Sequence, residues 1–66
     1  MNDKELFNEV LANLVDTYGI EVDRPYGDSY LIFRKDDDII GEMNSSGYNL
    51  LANLTKLCDI LKNELR

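Results

Sequence analysis

The side chains that most enzymes use for catalysis are scarce in this 66-residue chain. It contains no histidine and a single cysteine, Cys58. Without histidine, no imidazole is present to activate a serine or cysteine nucleophile. Cys58 lies in a leucine-rich run at helical spacing, so we expect it to pack in the core rather than to react. We therefore predict that the protein is not an enzyme and has no catalytic residues.

The one acidic cluster that invites comparison with a metal site is Asp36-Asp37-Asp38. It lacks the spaced acids, central glycine and distal glutamate of a calcium-binding loop, and we interpret it as a solvent-exposed turn. The four glycines stand alone at separate positions, so the chain has no glycine-rich phosphate-binding loop. We expect no metal site and no cofactor.

The net charge of the chain is −6, from thirteen acidic and seven basic residues. Binding to a nucleic-acid backbone needs clustered lysine and arginine, and an anionic membrane surface likewise attracts basic segments. The charge therefore argues against direct contact with nucleic acid or membrane and favours a basic protein as partner. A single cysteine, and a start without a basic flank followed by an apolar run, predict a cytoplasmic protein.

Residues 3–18 have the pattern of an amphipathic helix. Asn2 or Asp3 can cap its start, with Glu5 completing an approximate capping box. Gly19 provides a left-handed stop, after which Ile20 can fold back on Val15. The apolar face consists of Phe7, Val10, Leu11, Leu14, Val15 and Tyr18.

Three carboxylates project from the opposite face of this helix. Glu5, Glu9 and Asp16 fall within about 40° of one another and lie roughly 6 and 10 Å apart along the axis. One interpretation is an ordinary solvated helix surface. The other is a row of charges, at spacings near those of DNA phosphates, that is offered to a basic protein.

After Ile20 the apolar period changes to two, which predicts strands at 20–23, 30–35 and 39–43. Residues 24–28 form a loop with Pro and Gly, and 36–38 form a turn. With 36–38 as a three-residue loop, Leu31 and Phe33 share the buried face with Ile39 and Met43. The other face then holds Tyr30, Ile32, Arg34, Ile40 and Glu42. A two-residue loop would instead place Ile40 beside Phe33, and that alternative stays open.

The spacing of apolar residues in the last part of the chain, residues 45–66, predicts a helix with the longest apolar face in the protein. The stripe covers about 120° of arc and comprises Leu50, Leu51, Leu54, Leu57, Cys58, Leu61 and Leu65. Asn44, Ser45 or Ser46 can supply the N-cap. Ile60 lies about 60° beyond the stripe, where it is either an ordinary exposed residue or a contact with a second copy or partner.

The predicted order is helix, three strands, helix. We therefore expect one small α+β domain over residues 1–66, a two-layer α-β-β-β-α fold in which two helices pack on one face of a three-stranded antiparallel meander. This order and length resemble the double-stranded-RNA-binding domain over nearly the whole chain. The loop at 24–28 lacks that family's histidine, and the last helix has no lysine before Lys56. The resemblance is one of architecture, and it does not extend to RNA binding.

A small acidic protein of mixed α/β type also resembles phage-encoded anti-defence proteins, among them anti-CRISPR and anti-restriction proteins that imitate nucleic acid with surface carboxylates. The resemblance implies that the cytoplasm is that of a bacterial or phage-infected cell. We therefore expect an inhibitor or modulator that occupies a basic site, on a nucleic-acid-handling protein, through electrostatic complementarity and aromatic anchors. The predicted partner-binding residues are Glu5, Glu9, Asp16, Glu21, Asp23, Tyr26, Asp28, Tyr30, Asp36, Asp37 and Asp38.

Two alternatives remain from the sequence. The chain is a self-associating structural or regulatory module that dimerises through its outer sheet face or its last helix, with the acidity keeping the assembly soluble. Alternatively, it is an antitoxin or immunity protein, which would also bind through its acidic surface but to a different target.

Overall fold

The structure of the protein, a computed structural model, describes residues 2–64. Its elements are α1 (Asp3–Tyr18), β1 (Glu21–Asp23), β2 (Tyr30–Lys35), β3 (Asp38–Asn44) and α2 (Leu50–Leu61). The strands form an antiparallel sheet in the order β1-β2-β3, and the helices pack against it. The predicted α+β fold is confirmed.

Both ends of α1 follow from local sequence signals. The side chain of Asn2 accepts a hydrogen bond from the backbone N–H of Glu5 at 2.8 Å, which satisfies one free donor of the first turn. At the other end Gly19 takes the left-handed conformation, with φ of 66°. The N–H of Ile20 then donates to the Val15 carbonyl at 3.0 Å, and Ile20 is buried. The predicted helix and both of its boundaries are confirmed.

The hydrophobic core lies between the two helices and the inner face of the sheet. Four of its side chains, Leu31, Phe33, Leu57 and Leu61, are almost completely removed from solvent. The other buried core residues are Phe7, Leu11, Ile20 and Met43.

The hairpin between β2 and β3 combines both predicted registers. Next to the turn, Arg34 pairs with Ile39, so the loop has two residues, Asp36 and Asp37, both with positive φ as a tight hairpin turn requires. Further along, Phe33 pairs with Gly41, which is the pairing expected from a three-residue loop. A β-bulge, in which the extra residue of β3 is Ile40, absorbs the difference.

The bulge corrects the predicted positions of two isoleucines. Ile39 was expected on the buried face, but it lies on the outer face and is 58% exposed. Ile40 was expected on the outer face, but it packs against the core. The predictions for Met43, which is buried with Leu31, and for Glu42, which lies opposite Ile32, are confirmed.

Helix α2 starts later than the sequence suggested. Its N-cap is Asn49, whose side chain accepts from the backbone N–H of Ala52 at 2.8 Å. The predicted caps form the preceding turn instead: Asn44 accepts from the Ser46 N–H, and the Ser45 N–H donates to the Ser29 carbonyl. These residues therefore join the end of β3 to the β1–β2 loop rather than begin a helix.

The buried face of α2 is rotated by about 60° from the predicted stripe, at 100° per residue. Leu57, Leu61 and the polar Asn53 are buried, whereas Leu51 is 74% exposed. Cys58, which was expected in the core, is also exposed. Leu65, the last member of the predicted stripe, lies outside the described residues.

The rotation follows from a close approach between α2 and β3. Gly41 has no side chain, and a Cβ atom built there would lie 2.5 Å from Cγ2 of Ile60. Ile60 is therefore partly buried and packs over the strand at Gly41 against the core, so the prediction that it is an ordinary exposed residue is wrong. Its other predicted role, a contact with a second copy or partner, stays a prediction. At the end of the helix, the Glu64 carboxylate binds the Lys35 ammonium at 2.7 Å and raises the pKa of Lys35.

We expect Gly41→Ala to destabilise the protein by about 1–3 kcal/mol, the usual cost of overpacking, because Ile60 is β-branched and cannot easily turn away. Urea unfolding measures the effect. In an Ile60→Ala background the same substitution should cost much less, because the clashing Cγ atoms are gone. An equal cost in both backgrounds would show that this contact does not position α2.

Candidate functional site

The first group of predicted partner-binding residues forms a row on α1. Glu5, Glu9 and Asp16 are exposed, on the side of the helix opposite the buried Phe7 and Leu11. We call these three carboxylates the α1 row. Because α1 packs on the inner face of the sheet, the α1 row faces away from the sheet altogether.

The second group lies on the outer sheet face, which neither described helix covers. Strand pairing arranges this face in cross-strand rows: Asp23, Ile32 and Glu42 form one, and Glu21, Arg34 and Ile39 form the next. A third row consists of Tyr30 and Asn44. With Tyr26, which contacts Tyr30, these residues are what we call the outer sheet face.

The third group is the hairpin turn, where Asp36, Asp37 and Asp38 are all exposed. This turn follows β2, whereas Asp28 and Tyr26 lie in the loop that precedes β2. The turn and that loop are therefore at opposite ends of the sheet. The eleven predicted residues do not form one continuous site.

One of the nine predicted carboxylates, that of Asp23, forms an ion pair with a basic side chain of the same protein. Asp23 Oδ2 lies 2.9 Å from Arg34 Nε. The Nε–H does not point at the oxygen well enough for a hydrogen bond and finds no other acceptor within residues 2–64, so the contact is an ion pair alone. In the same part of the chain, the other eight carboxylates are exposed and form no ion pair.

An aromatic pair is fixed at one end of the outer sheet face. The Tyr30 hydroxyl donates a hydrogen bond to Oε2 of Glu42 on the neighbouring strand. The ring of Tyr26 packs edge-on against that of Tyr30, with centroids 5.4 Å apart and an interplanar angle of 75°. The hydrogen bond to Glu42, with a smaller effect of desolvation, raises the pKa of Tyr30. Tyr26 itself is 81% exposed.

The two sides of the outer sheet face differ in charge. On the β1 side a shallow cavity of about 450 Å³ is lined by two cations, Arg24 and Arg34, and by Asp23, Pro25, Tyr26 and Ile32. On the β3 side the described residues of the face are Ile39, Glu42 and Asn44, of which only Glu42 is charged. Beside β1 the carboxylates of Glu21 and Asp23 are offset by Arg24 and Arg34, whereas the Glu42 carboxylate has no basic neighbour among the described residues of β3. A positively charged group is therefore accommodated better beside β3 than beside β1.

Sequence reasoning missed part of this surface. Arg34 and Ile32 were assigned to the correct face but not to the site. Ile39 was assigned to the wrong face, because a bulge leaves no clear mark in the alternation of apolar residues. Glu42 could have been assigned to this surface from the sequence, since the predicted register placed it on the face that holds Tyr30.

Comparison with protein-family models, with curated protein sequences and with solved structures found no match to this chain. Within residues 2–64, no grouping of three or more cysteine or carboxylate side chains is arranged to hold a metal ion. None of the helices in this part of the chain has the length and apolar character needed to cross a membrane.

The Tyr30–Glu42 hydrogen bond has a measurable consequence for titration. The folded protein holds the Tyr30 proton more tightly than the unfolded chain does. The resulting stabilisation is complete below the unfolded pKa of about 10 and is lost as the pH rises through the higher folded value. In a titration followed by tyrosinate absorbance, we expect one of the four tyrosines to ionise above the ordinary range.

Two substitutions identify that tyrosine. Tyr30→Phe should remove the late-titrating group, and Glu42→Gln should bring its pKa back towards the ordinary value. A late-titrating group that persists in both variants would contradict the assignment.

Proposed function

We propose that this protein is a protein-binding inhibitor or modulator, of the phage anti-defence type, that occupies a basic site on a nucleic-acid-handling protein by presenting carboxylates in place of phosphates. The observation that carries the proposal is the exposure of its acids. Eight of the nine predicted partner-binding carboxylates project into solvent without an ion-pair partner in residues 2–64.

The spacing of the α1 row supports imitation of nucleic acid. Its three carboxylates rise along the helix axis by roughly 6 and 10 Å. Phosphates of one DNA strand follow each other at about 3.4 Å along the duplex axis, so these rises correspond to about two and three nucleotide steps. A rigid helix holds such a row at little entropic cost, which favours binding.

The cost of the exposed charges also supports a role in binding. Like charges on a compact protein repel one another and lower its stability. The turn adds a second cost, because Asp36 and Asp37 both have positive φ, which glycine and asparagine tolerate better. A basic partner would relieve the repulsion and steer association.

The test is capture of partners from a bacterial lysate at low salt, followed by competition with duplex DNA. We expect a basic, nucleic-acid-handling protein to be retained, and to be released by added DNA or high salt. With that purified protein, Glu9→Gln/Asp16→Asn should reduce the association rate constant about tenfold at low ionic strength.

The control is Asp3→Asn/Asp59→Asn, which removes the same number of acidic charges at exposed positions outside the predicted surfaces. Asp59 lies 3.7 Å from the Lys62 ammonium, but both side chains are solvent-exposed and such a pair contributes little. The control should reduce the rate much less. The proposal fails if no basic protein is retained at low salt, or if the retained protein is indifferent to DNA and to both pairs of substitutions. Retention of a toxin would indicate the antitoxin alternative.

A second candidate function, self-association, is favoured by one observation on α2. The rotation of the helix leaves Leu51 74% exposed and brings Cys58 to the surface. Residues 44–66 hold two acids and three bases, so two copies approach with less repulsion there than elsewhere.

If that candidate is correct, sedimentation should show a dimer that Leu51→Lys dissociates. Ala52→Lys, which adds the same charge at an exposed position on another face of α2, should leave the dimer intact. A monomer at all concentrations would exclude self-association.

A further inference from the structure

The outer sheet face differs from the α1 row in the kind of contact it offers. It holds two tyrosines and two isoleucines, of which Tyr26 and Ile39 are largely exposed. Large aromatic residues supply most of the binding free energy in protein interfaces, whereas exposed charges mainly affect rate and orientation. The α1 row, built from carboxylates alone, therefore suits steering, and the outer sheet face suits anchoring.

The charges of the outer sheet face determine what kind of surface fits it. Its cross-strand rows contain three acids, Glu21, Asp23 and Glu42, and one base, Arg34. Arg34 is matched by Asp23, which leaves the other two acids uncompensated, one on each edge strand. A second copy of this chain would bring the same excess of negative charge, so the complementary occupant is a basic surface.

The position of a cation on this face is restricted further. The cavity on the β1 side is lined by the Asp23–Arg34 ion pair and by Arg24, whose charge is not matched within the cavity and repels a cation there. On the β3 side, Glu42 uses one carboxylate oxygen to accept from the Tyr30 hydroxyl, and its second oxygen accepts no hydrogen bond from residues 2–64. The Tyr30 ring therefore lies next to an available carboxylate oxygen.

An arginine side chain complements the Tyr30 ring and the available Glu42 oxygen better than a lysine side chain does. A guanidinium is planar, donates several hydrogen bonds in fixed directions and stacks on aromatic rings. Lysine offers a compact, strongly hydrated charge without a planar face. From this juxtaposition we infer that the outer sheet face, and not the α1 row, is the anchoring surface, and that it binds an arginine side chain of a basic protein, which stacks on the Tyr30 ring and donates to the second carboxylate oxygen of Glu42. The inference rests on the proposed function, because it names the contact through which the basic partner is held.

The probes are two blocked peptides, hexaarginine and hexalysine, titrated at low salt into the ¹⁵N-labelled protein. We expect the arginine peptide to bind about threefold more tightly, as an exposed cation–π contact allows. The largest amide shifts should lie at Tyr30, Ile32 and Glu42 rather than along the α1 row.

Two matched pairs of variants test the residues. Glu42→Gln should weaken the arginine peptide about threefold, and Glu9→Gln, which removes the same charge from the α1 row, much less. Tyr30→Leu should abolish the preference for arginine over lysine, whereas Tyr30→Phe, which keeps the ring, should preserve it. Circular dichroism checks that each variant is folded.

The outcomes separate this inference from the proposed function. Shifts centred on the α1 row or the turn, or equal losses from Glu9→Gln and Glu42→Gln, overturn the arginine site while leaving an acidic docking protein in place. Equal affinity for the two peptides in the wild type also overturns it. If neither peptide binds saturably at low salt, the proposed function fails as well.

Discussion

The close approach of Ile60 to the backbone of Gly41 is the contact on which the arrangement of this fold depends. In a two-layer protein of this size, a helix can rotate about its axis and still bury leucines, because α2 has apolar residues over a wide arc. The absence of a side chain at Gly41 limits that freedom, because Ile60 occupies the space that a Cβ atom at position 41 would fill. The consequence reaches the surface, where Leu51 and Cys58 are exposed instead of buried.

The bulge at Ile40 has a comparable effect on the sheet. It lets the hairpin turn close tightly at Asp36 and Asp37 and still keeps Leu31, Phe33 and Met43 on the buried face. Without it, one of those requirements would fail, because a shift of one residue moves every side chain to the other face. The same extra residue places Ile39 on the outer sheet face, where it adds apolar area to an otherwise charged edge.

The structural features that could be predicted well from the sequence are those determined by signals a few residues away. The bounds of α1 depend on Asn2 and Gly19, which act within a few residues of themselves, and both boundaries were correct. The rotation of α2 depends on Gly41, which lies nineteen positions before Ile60 and is invisible to helical periodicity. The exposure of the acids was predictable from composition, whereas their division into the α1 row, the outer sheet face and the turn required the tertiary structure.

Under the proposed function, the division of the acids gives each surface a different physical task. Charges that act through space do not need to be adjacent, so the α1 row and the turn can both draw a basic partner towards the protein. A short-range contact needs a fixed geometry, which Tyr30 receives from its hydrogen bond to Glu42 and its packing against Tyr26. If the proposed function is correct, a basic partner bound there would also offset the repulsion among the carboxylates and so add to the stability of the fold. Folding and the proposed binding would then be coupled through the same net charge of −6.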